Sequence, residues 1–258
     1  MHINKVGVYT KVEGFMSSYE DYIVKIIAYT ELLLQEIEQE VDELNFDVTS
    51  LHNKLVIALF LSIYEIANSI PILLRSKAHI TVPSLIRNML EAYVDLKNIA
   101  KDVNYKSVMI SSYLKELKRF LQNNEENLEP VPSLLPDVSE LLNTYKLNIK
   151  TTFASRFKEA GLQKIYVSIY NKLCNETHNN VNCLLERHFD WENKKDEIVI
   201  FKERRIHTIC YWIQVCNSIL QSAFKELLKF QNVKQSLAYQ KIKILNEKYN
   251  EEFNKFLK

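Results

Sequence analysis

Glycine and proline are scarce in this sequence, which has three glycines and five prolines among 258 residues. Average globular proteins use both far more often. Tight hairpins and glycine-rich phosphate loops depend on glycine, so both are disfavoured here. The sequence also lacks the short motifs of dinucleotide sites, P-loops, HExxH metalloproteases and GxSxG hydrolases. These absences predict long helices joined by polar turns, and no bound cofactor is expected.

The sequence also lacks an excess of charge of either sign. Its 33 basic and 32 acidic residues leave a formal net charge of +1, so no global field attracts DNA or a membrane. The four cysteines all lie in the last third of the chain, unlike the dense framework of a small secreted domain. The first residues contain no apolar run typical of a secretory signal. We therefore expect a cytoplasmic protein with reduced thiols.

Apolar residues recur with helical period along most of the chain, and almost no segment alternates as a strand does. This pattern predicts an all-α fold, a single-domain multi-helix bundle (1–258) with a long C-terminal helix. The predicted helices cover residues 15–43, 50–77, 83–101, 105–123, 137–148, 151–160, 162–178, 179–190 and 203–257. Thr49 or Ser50 is expected to cap the second helix, Gly161 to end the sixth, and Asn232 to interrupt the last.

Two segments stand apart from this pattern. Residues 123–137 contain Pro130, Pro132 and Pro136 among acidic residues, which predicts an exposed surface loop. The charged, amphipathic segment 233–258 predicts an accessory helix that packs on the body of the protein or on a partner. IVIF (198–201) is interpreted as a short strand or a buried turn.

The segment Leu55–Leu74 is nearly as long as a bilayer span and nearly all apolar. It contains one ionisable residue, Glu65, and an acid at the centre of a bilayer costs at least a few kcal/mol. We therefore interpret the segment as a buried central helix of a protein that does not enter membranes. A buried carboxylate needs a partner, and Arg87 is the nearest plausible one.

The next predicted helix carries a polar seam opposite an apolar face. At 100° per residue the seam consists of Ser84, Arg87, Glu91, Asp95 and Asn98. One interpretation is a solvated helix face with an Arg87–Glu91 ion pair worth a few tenths of a kcal/mol. The other is an inward-facing functional site. The sequence leaves both open.

A second group of polar side chains lies near residue 178. Asn175 and His178 belong to the run NETHNN (175–180), and His178 lies off the apolar stripe of its helix. His178 could cap the helix C-terminus, where a cation meets the helix dipole. It could equally act as a general acid or base, because histidine titrates near neutral pH.

A metal site is a third interpretation of this region. Cys174 and His178 share a helix face, and Cys183 and His188 follow at intervals of five residues. Thiolate and imidazole suit zinc, but the tight CxxC spacing of structural zinc sites is missing. No metal is therefore assigned.

The segments LLRSKAHITVPSLIRNMLEAYVDLKNIAKD (73–102) and IYNKLCNETHNN (169–180) resemble an uncharacterised family of bacterial helical proteins. The shared pattern, over about residues 50–185, is a helix with Arg and Glu four residues apart and then a Tyr-x3-(Ser/Cys)-x3-His segment. The resemblance implies that Arg87, Glu91, Tyr170, Cys174 and His178 are functional. Cys174 stands where the pattern favours serine.

That family is similar in style to the HEPN helical proteins, many of which are metal-independent ribonucleases of toxin–antitoxin and antiphage systems. Their hallmark is Arg-x(4–6)-His on one helix, used across a dimer interface. This chain departs from it, because only three residues separate Arg75 from His79. The resemblance therefore implies a homodimer in which Arg87 and His178 meet from different helices.

Two hypotheses of function follow. In the first, the protein is an endoribonuclease, a toxin-type effector of antiphage defence. His178 is its general base or acid, Arg87 stabilises the phosphorane charge, and Glu91 and Asn175 orient them. In the second, the protein is a non-catalytic helical module. The same residues then form a buried network with Glu65, and the C-terminal helix binds a protein partner.

Overall fold

Helices account for nearly all of the chain that the structure describes. The structure is a computed structural model, and it describes residues 16–123, 131–145, 152–177, 180–190, 197–198, 206–233 and 235–256. Its helices are α1 (Met16–Glu43), α2 (Leu51–Arg75), α3 (Val82–Lys101), α4 (Tyr105–Asn123), α5 (Val131–Thr144), α6 (Phe153–Glu159), α7 (Gln163–Ile165), α8 (Asn171–Thr177), α9 (Val181–His188), α10 (Ile206–Phe230) and α11 (Leu237–Phe256). A 3₁₀ turn (His79–Thr81) precedes α3, and a π-helical turn (Tyr166–Tyr170) joins α7 to α8. The predicted all-α multi-helix bundle is confirmed.

Local capping sets several of these boundaries. The Ser50 hydroxyl accepts a 3.1 Å hydrogen bond from the Asn53 backbone N–H, so Ser50 is the N-cap of α2. Beyond α6, Gly161 has a φ of 71°, and the next N–H, that of Leu162, bonds to the Phe157 carbonyl at 2.7 Å. This is a Schellman ending, which requires a left-handed residue and favours glycine. Asn232 has a φ of 57° just beyond α10, which confirms the predicted interruption there.

The centre of the bundle is α3, which packs against α2, α10, α6 and α8. Its apolar residues are buried on more than one side, among them Ile86, Met89, Leu90, Val94 and Leu96. A helix surrounded in this way buries its polar side chains too, as described below.

The prediction that α2 is the buried central helix is wrong. One face of α2 belongs to the main core and consists of Val56, Phe60, Ile63, Ala67, Ile70 and Leu74. The opposite face is exposed, including Leu61 and Ile72. By length and composition α2 could cross a membrane. Within the protein, 33% of its most apolar window is buried. A helix with few charged residues does not reveal in its sequence how much of its surface other helices cover.

The predicted loop at 123–137 is wrong for the residues of this segment that the structure describes. Residues 124–130 lie outside the described part, but α5 already begins at Val131 and contains Pro132 and Pro136. Pro132 is tolerated because the N–H groups of a first helical turn have no helical partner. Pro136 removes one helical bond, while Val138 packs with Leu114 and Leu121 of α4 in a small separate cluster.

The C-terminal helix α11 packs on α1. Tyr29 stacks on Tyr249 with ring centroids 4.4 Å apart, and the Glu36 carboxylate accepts a 2.8 Å bond from the Lys241 ammonium. Ala238 and Ile242 belong to the same apolar cluster as the helices before them. Of the two predicted roles for this segment, the structure therefore displays packing on the body of the protein.

One short β pairing accompanies the described helices. Phe189–Asp190 (β1) pairs antiparallel with Glu197–Ile198 (β2). The predicted strand or turn at 198–201 overlaps β2 at Ile198, and its other residues lie outside the described part.

Candidate functional site

The polar seam of α3 faces inward, as the functional interpretation requires. Across from it lie α6, the π-helical turn and α8. The seam divides into two clusters that meet different partners. We call them the outer cluster, made of Arg87, Glu91 and Tyr170, and the inner cluster, made of Asp95, Tyr105 and Arg156.

The outer cluster joins α3 to the π-helical turn. The Tyr170 hydroxyl donates a 2.8 Å hydrogen bond to Glu91 Oε1, and Arg87 Nε lies 3.0 Å from the same oxygen. The Arg87 guanidinium carbon lies 5.7 Å from the centre of the Tyr170 ring. The side chains of Arg87 and Glu91 remain 26% and 22% exposed, so solvent reaches both charges.

Aromatic packing fixes the position of Tyr170. Its ring centroid lies 5.0 Å from that of Phe157 and 5.4 Å from that of Tyr166. Phe153 stacks on it from α6, at 5.8 Å. The π-helical turn ends at Tyr170, and such turns are rare and frequent at functional sites. The hydroxyl is therefore held against Glu91 by a rigid surround.

Arg87 and Tyr170 of the outer cluster both keep their protons at neutral pH. Burial is the largest effect on Tyr170, and together with the bond to Glu91 it raises the pKa of the phenol above its usual value. Burial alone would lower the pKa of Arg87, but the interactions with Tyr170 and Glu91 outweigh it, and the net shift is upward. Arg87 is thus a permanent cation, and Tyr170 is a donor and not a base.

The remaining predicted site residues divide into three cases. Cys174 lies one turn after Tyr170, partly buried, and interacts electrostatically with Arg87 and Tyr170. The Asn175 side chain is exposed, and its backbone carbonyl accepts a hydrogen bond from the Cys183 thiol at 3.1 Å. Asn175 follows Cys174 directly, and adjacent helical residues point about 100° apart. The Asn175 side chain therefore points in another direction than that of Cys174, and its predicted role in orienting Arg87 has no supporting contact. His178 lies outside the described residues.

The inner cluster is more deeply buried and was not predicted. Asp95 Oδ1 accepts hydrogen bonds from the Tyr105 hydroxyl at 2.7 Å and from Arg156 Nε at 3.0 Å, and the Arg156 guanidinium also pairs with Oδ2. Asn98 donates a 3.0 Å bond to the Arg156 carbonyl. Burial, followed by the charge of Asp95, raises the pKa of Tyr105. This closed set of bonds ties α3 to α4 and α6.

A signal for the inner cluster was present in the sequence. Asp95 belongs to the predicted seam, and an aspartate on an inward face requires a cation. Arg156 lies next to the fully buried Phe157 on a short helix, which places it at the edge of the core. Only the packing of α6 against α3 could select this arginine over the others.

The predicted contact of Glu65 with Arg87 is wrong. Glu65 is exposed on α2, while Arg87 pairs with Glu91 on its own helix. The second hypothesis therefore loses Glu65 from its buried network.

The described residues also bear on the predicted metal site. In that part of the chain no group of three or more His, Cys, Asp or Glu side chains could hold a metal ion. Cys183 and His188 both belong to α9, whereas His178 lies outside the described residues, so the predicted alternative of a zinc site gains no support.

The chain matches the model of a protein family, although it matches no curated protein and no solved structure. The model of a family of unknown function, DUF5677, matches residues 53–198. This range is more than half of the chain and contains both clusters. It also agrees with the sequence resemblance to an uncharacterised helical family. The chain therefore belongs to the family of unknown function DUF5677.

Proposed function

We propose that the protein is a HEPN-like, metal-independent endoribonuclease, a toxin-type effector of bacterial antiphage defence that acts in the cytoplasm. The outer cluster is its phosphate-binding site. One observation carries the proposal, namely a partly exposed arginine held by a glutamate and by a tyrosine at a π-helical turn. Such a preorganised cation suits the charge that develops on a phosphoryl group during transfer.

The two clusters differ in a way that supports this assignment. Asp95 and Arg156 are only 13% and 17% exposed, whereas Arg87 is 26% exposed. The members of the inner cluster bond to one another, which is typical of a structural role. The outer cluster keeps a cation within reach of a ligand.

The proposed chemistry needs no metal. The ribose 2′-oxygen attacks the adjacent phosphorus, the bond from phosphorus to the 5′-oxygen breaks, and the products are a 2′,3′-cyclic phosphate and a 5′-hydroxyl. His178 removes the proton from the 2′-hydroxyl or supplies one to the leaving oxygen, with water as the other proton carrier. Arg87 stabilises the phosphorane, and Glu91 holds Arg87 in position. The role of His178 rests on its place in the sequence, four residues after Cys174.

The test is cleavage of RNA by the purified full chain. Total RNA is incubated at neutral pH with EDTA, and the fragments and their termini are analysed. We expect Arg87→Ala and His178→Ala to lower the cleavage rate by about 100-fold or more, in the range for a phosphate-stabilising group or a general base. Arg119→Ala, an exposed arginine on α4, is the matched control and should leave the rate unchanged. Absence of cleavage, or equal rates in all variants, would refute the proposal.

One observation favours the second candidate, a non-catalytic helical module. The Arg87 guanidinium is already engaged within the chain by Glu91 and Tyr170, as Arg156 is by Asp95. If the contacts of Arg87 are structural only, the Arg87→Ala variant should have a lower free energy of unfolding than the wild-type protein. The wild-type protein should then leave RNA intact. The stability measurements in the Discussion separate the two candidates.

A further inference from the structure

The exposed face of α2 follows a regular repeat. Eight residues at alternating spacings of three and four are all exposed, namely Leu51, Lys54, Ala58, Leu61, Glu65, Asn68, Ile72 and Arg75. We call them the α2 stripe. This is the a/d spacing by which one helix packs along another. The stripe lies opposite the face that joins the core.

Four of the eight stripe residues are apolar, and four are polar or charged. Leu51, Leu61 and Ile72 are 50%, 41% and 62% exposed, and Val48 just before the helix is 54% exposed. Ala58 provides a small side chain next to Leu61, which permits close approach of another backbone. These large apolar side chains lie about three helical turns apart along the stripe, with charged and polar residues between them.

The charges on the stripe favour a second copy of α2 as the partner. Lys54 and Glu65 lie on the stripe eleven residues apart, about 16 Å along the axis. In an antiparallel pair of identical helices centred between Ala58 and Leu61, Lys54 of each copy faces Glu65 of the other. The same register places Ala58 against Leu61 twice and Leu51 against Asn68 twice. Two ion pairs then flank a small apolar centre.

Other arrangements of the same two helices are worse. A parallel pair places Lys54 against Lys54 and Glu65 against Glu65. An antiparallel pair shifted by seven residues sets Glu65 opposite Leu61 in one direction. In the other direction it sets Lys54 opposite Ala58 and leaves Glu65 beyond the start of the other helix. Like charges in contact, or a charge against an apolar side chain, are destabilising. A lipid surface would also have to accommodate Lys54, Glu65 and Arg75.

We propose that the α2 stripe is a homodimer surface, on which α2 of a second copy packs antiparallel with two reciprocal Lys54–Glu65 ion pairs. The contact is isologous, which is the commonest symmetry of soluble oligomers. A single pair of helices buries less than the interfaces of obligate dimers, so the dimer dissociates on dilution. This proposal does not depend on the ribonuclease assignment.

The test uses sedimentation of the full chain across a range of concentrations. We expect wild type to approach twice the chain mass of 30.4 kDa and to dissociate on dilution. Lys54→Glu alone and Glu65→Lys alone should each weaken dimerisation about tenfold or more, because both ion pairs become like-charge contacts. The double variant Lys54→Glu/Glu65→Lys should restore dimerisation to within about threefold of wild type.

Lys115→Glu on α4 is the matched control, since Lys115 is an exposed lysine away from the stripe. Circular dichroism melting verifies that all variants fold. A chain that stays monomeric, single reversals without effect, or a double variant no better than the singles would each overturn the proposal. So would a monomer that sediments with phospholipid vesicles through Leu61 and Ile72, because the stripe would then bind membranes.

Discussion

Removal of Arg156 and removal of Arg87 should have very different costs in stability. Arg156→Ala deletes the cation of the inner cluster and leaves the Asp95 carboxylate, whose side chain is 13% exposed, with a bond from Tyr105 alone. An uncompensated buried charge costs about 3–5 kcal/mol. For a chain of this length, each kcal/mol lowers Tm by about 2–4 °C, so we expect a decrease of about 10 °C.

Arg87→Ala should cost much less. Its partner Glu91 is four residues along the same helix, is 22% exposed, and keeps the 2.8 Å bond from Tyr170. Ion pairs in such settings contribute about 1 kcal/mol or less. The expected difference between the two alanine variants is therefore at least about 2 kcal/mol. This difference is the physical basis for regarding Arg87 as available for function and Arg156 as structural.

The assay is equilibrium unfolding in urea at neutral pH, followed by circular dichroism. Asp95→Ala and the double variant Asp95→Ala/Arg156→Ala complete a thermodynamic cycle. The double variant should cost less than the sum of the singles, because neither charge is left unpaired. Equal costs for Arg87→Ala and Arg156→Ala would refute the distinction and favour the non-catalytic candidate. A cost below about 1 kcal/mol for Arg156→Ala would contradict its burial.

Two further outcomes test other parts of the fold. Gly161→Ala should destabilise the protein by about 1 kcal/mol in the same urea assay, because the residue needs its φ of 71° although nothing lies within 4 Å of an added Cβ. Gly161→Asn should cost less, and equal costs would argue against backbone strain. Burial raises the pKa of Tyr29 from 10.0 to about 12, so the unfolded chain loses this proton first as pH rises, and stability present below pH 10 should decline up to about pH 12. Tyr29→Phe should show a smaller decline, measured by urea midpoints at a series of alkaline pH values.

Much of the helical framework follows from local features of the sequence. The predicted 105–123 helix coincides with α4, and Ser50 caps α2 as expected, because hydrophobic period and capping are properties of neighbouring residues. The prediction that Pro136 lies in a loop is wrong, because it considers only neighbouring residues. A proline within a helix is a local cost, and the packing of Val138 on α4 that offsets it is not local.

The candidate site was predictable in part. Arg87, Glu91, Tyr170 and Cys174 were named from short motifs, and the fold brings them together across α3 and the π-helical turn. The exposed side chain of Asn175 shows the limit of such reasoning, since a residue next to a motif position points in another direction.

The sequence by itself determined the helices, the polar seam on α3 and the apolar character of α2, because each depends on residues along one helix. Only the tertiary structure decided that the seam faces α6 and α8, that Arg156 neutralises Asp95, and that Glu65 lies in solvent. Burial depends on which helices pack together, and that choice is set by contacts between residues far apart in the chain. The same packing leaves the α2 stripe exposed to solvent.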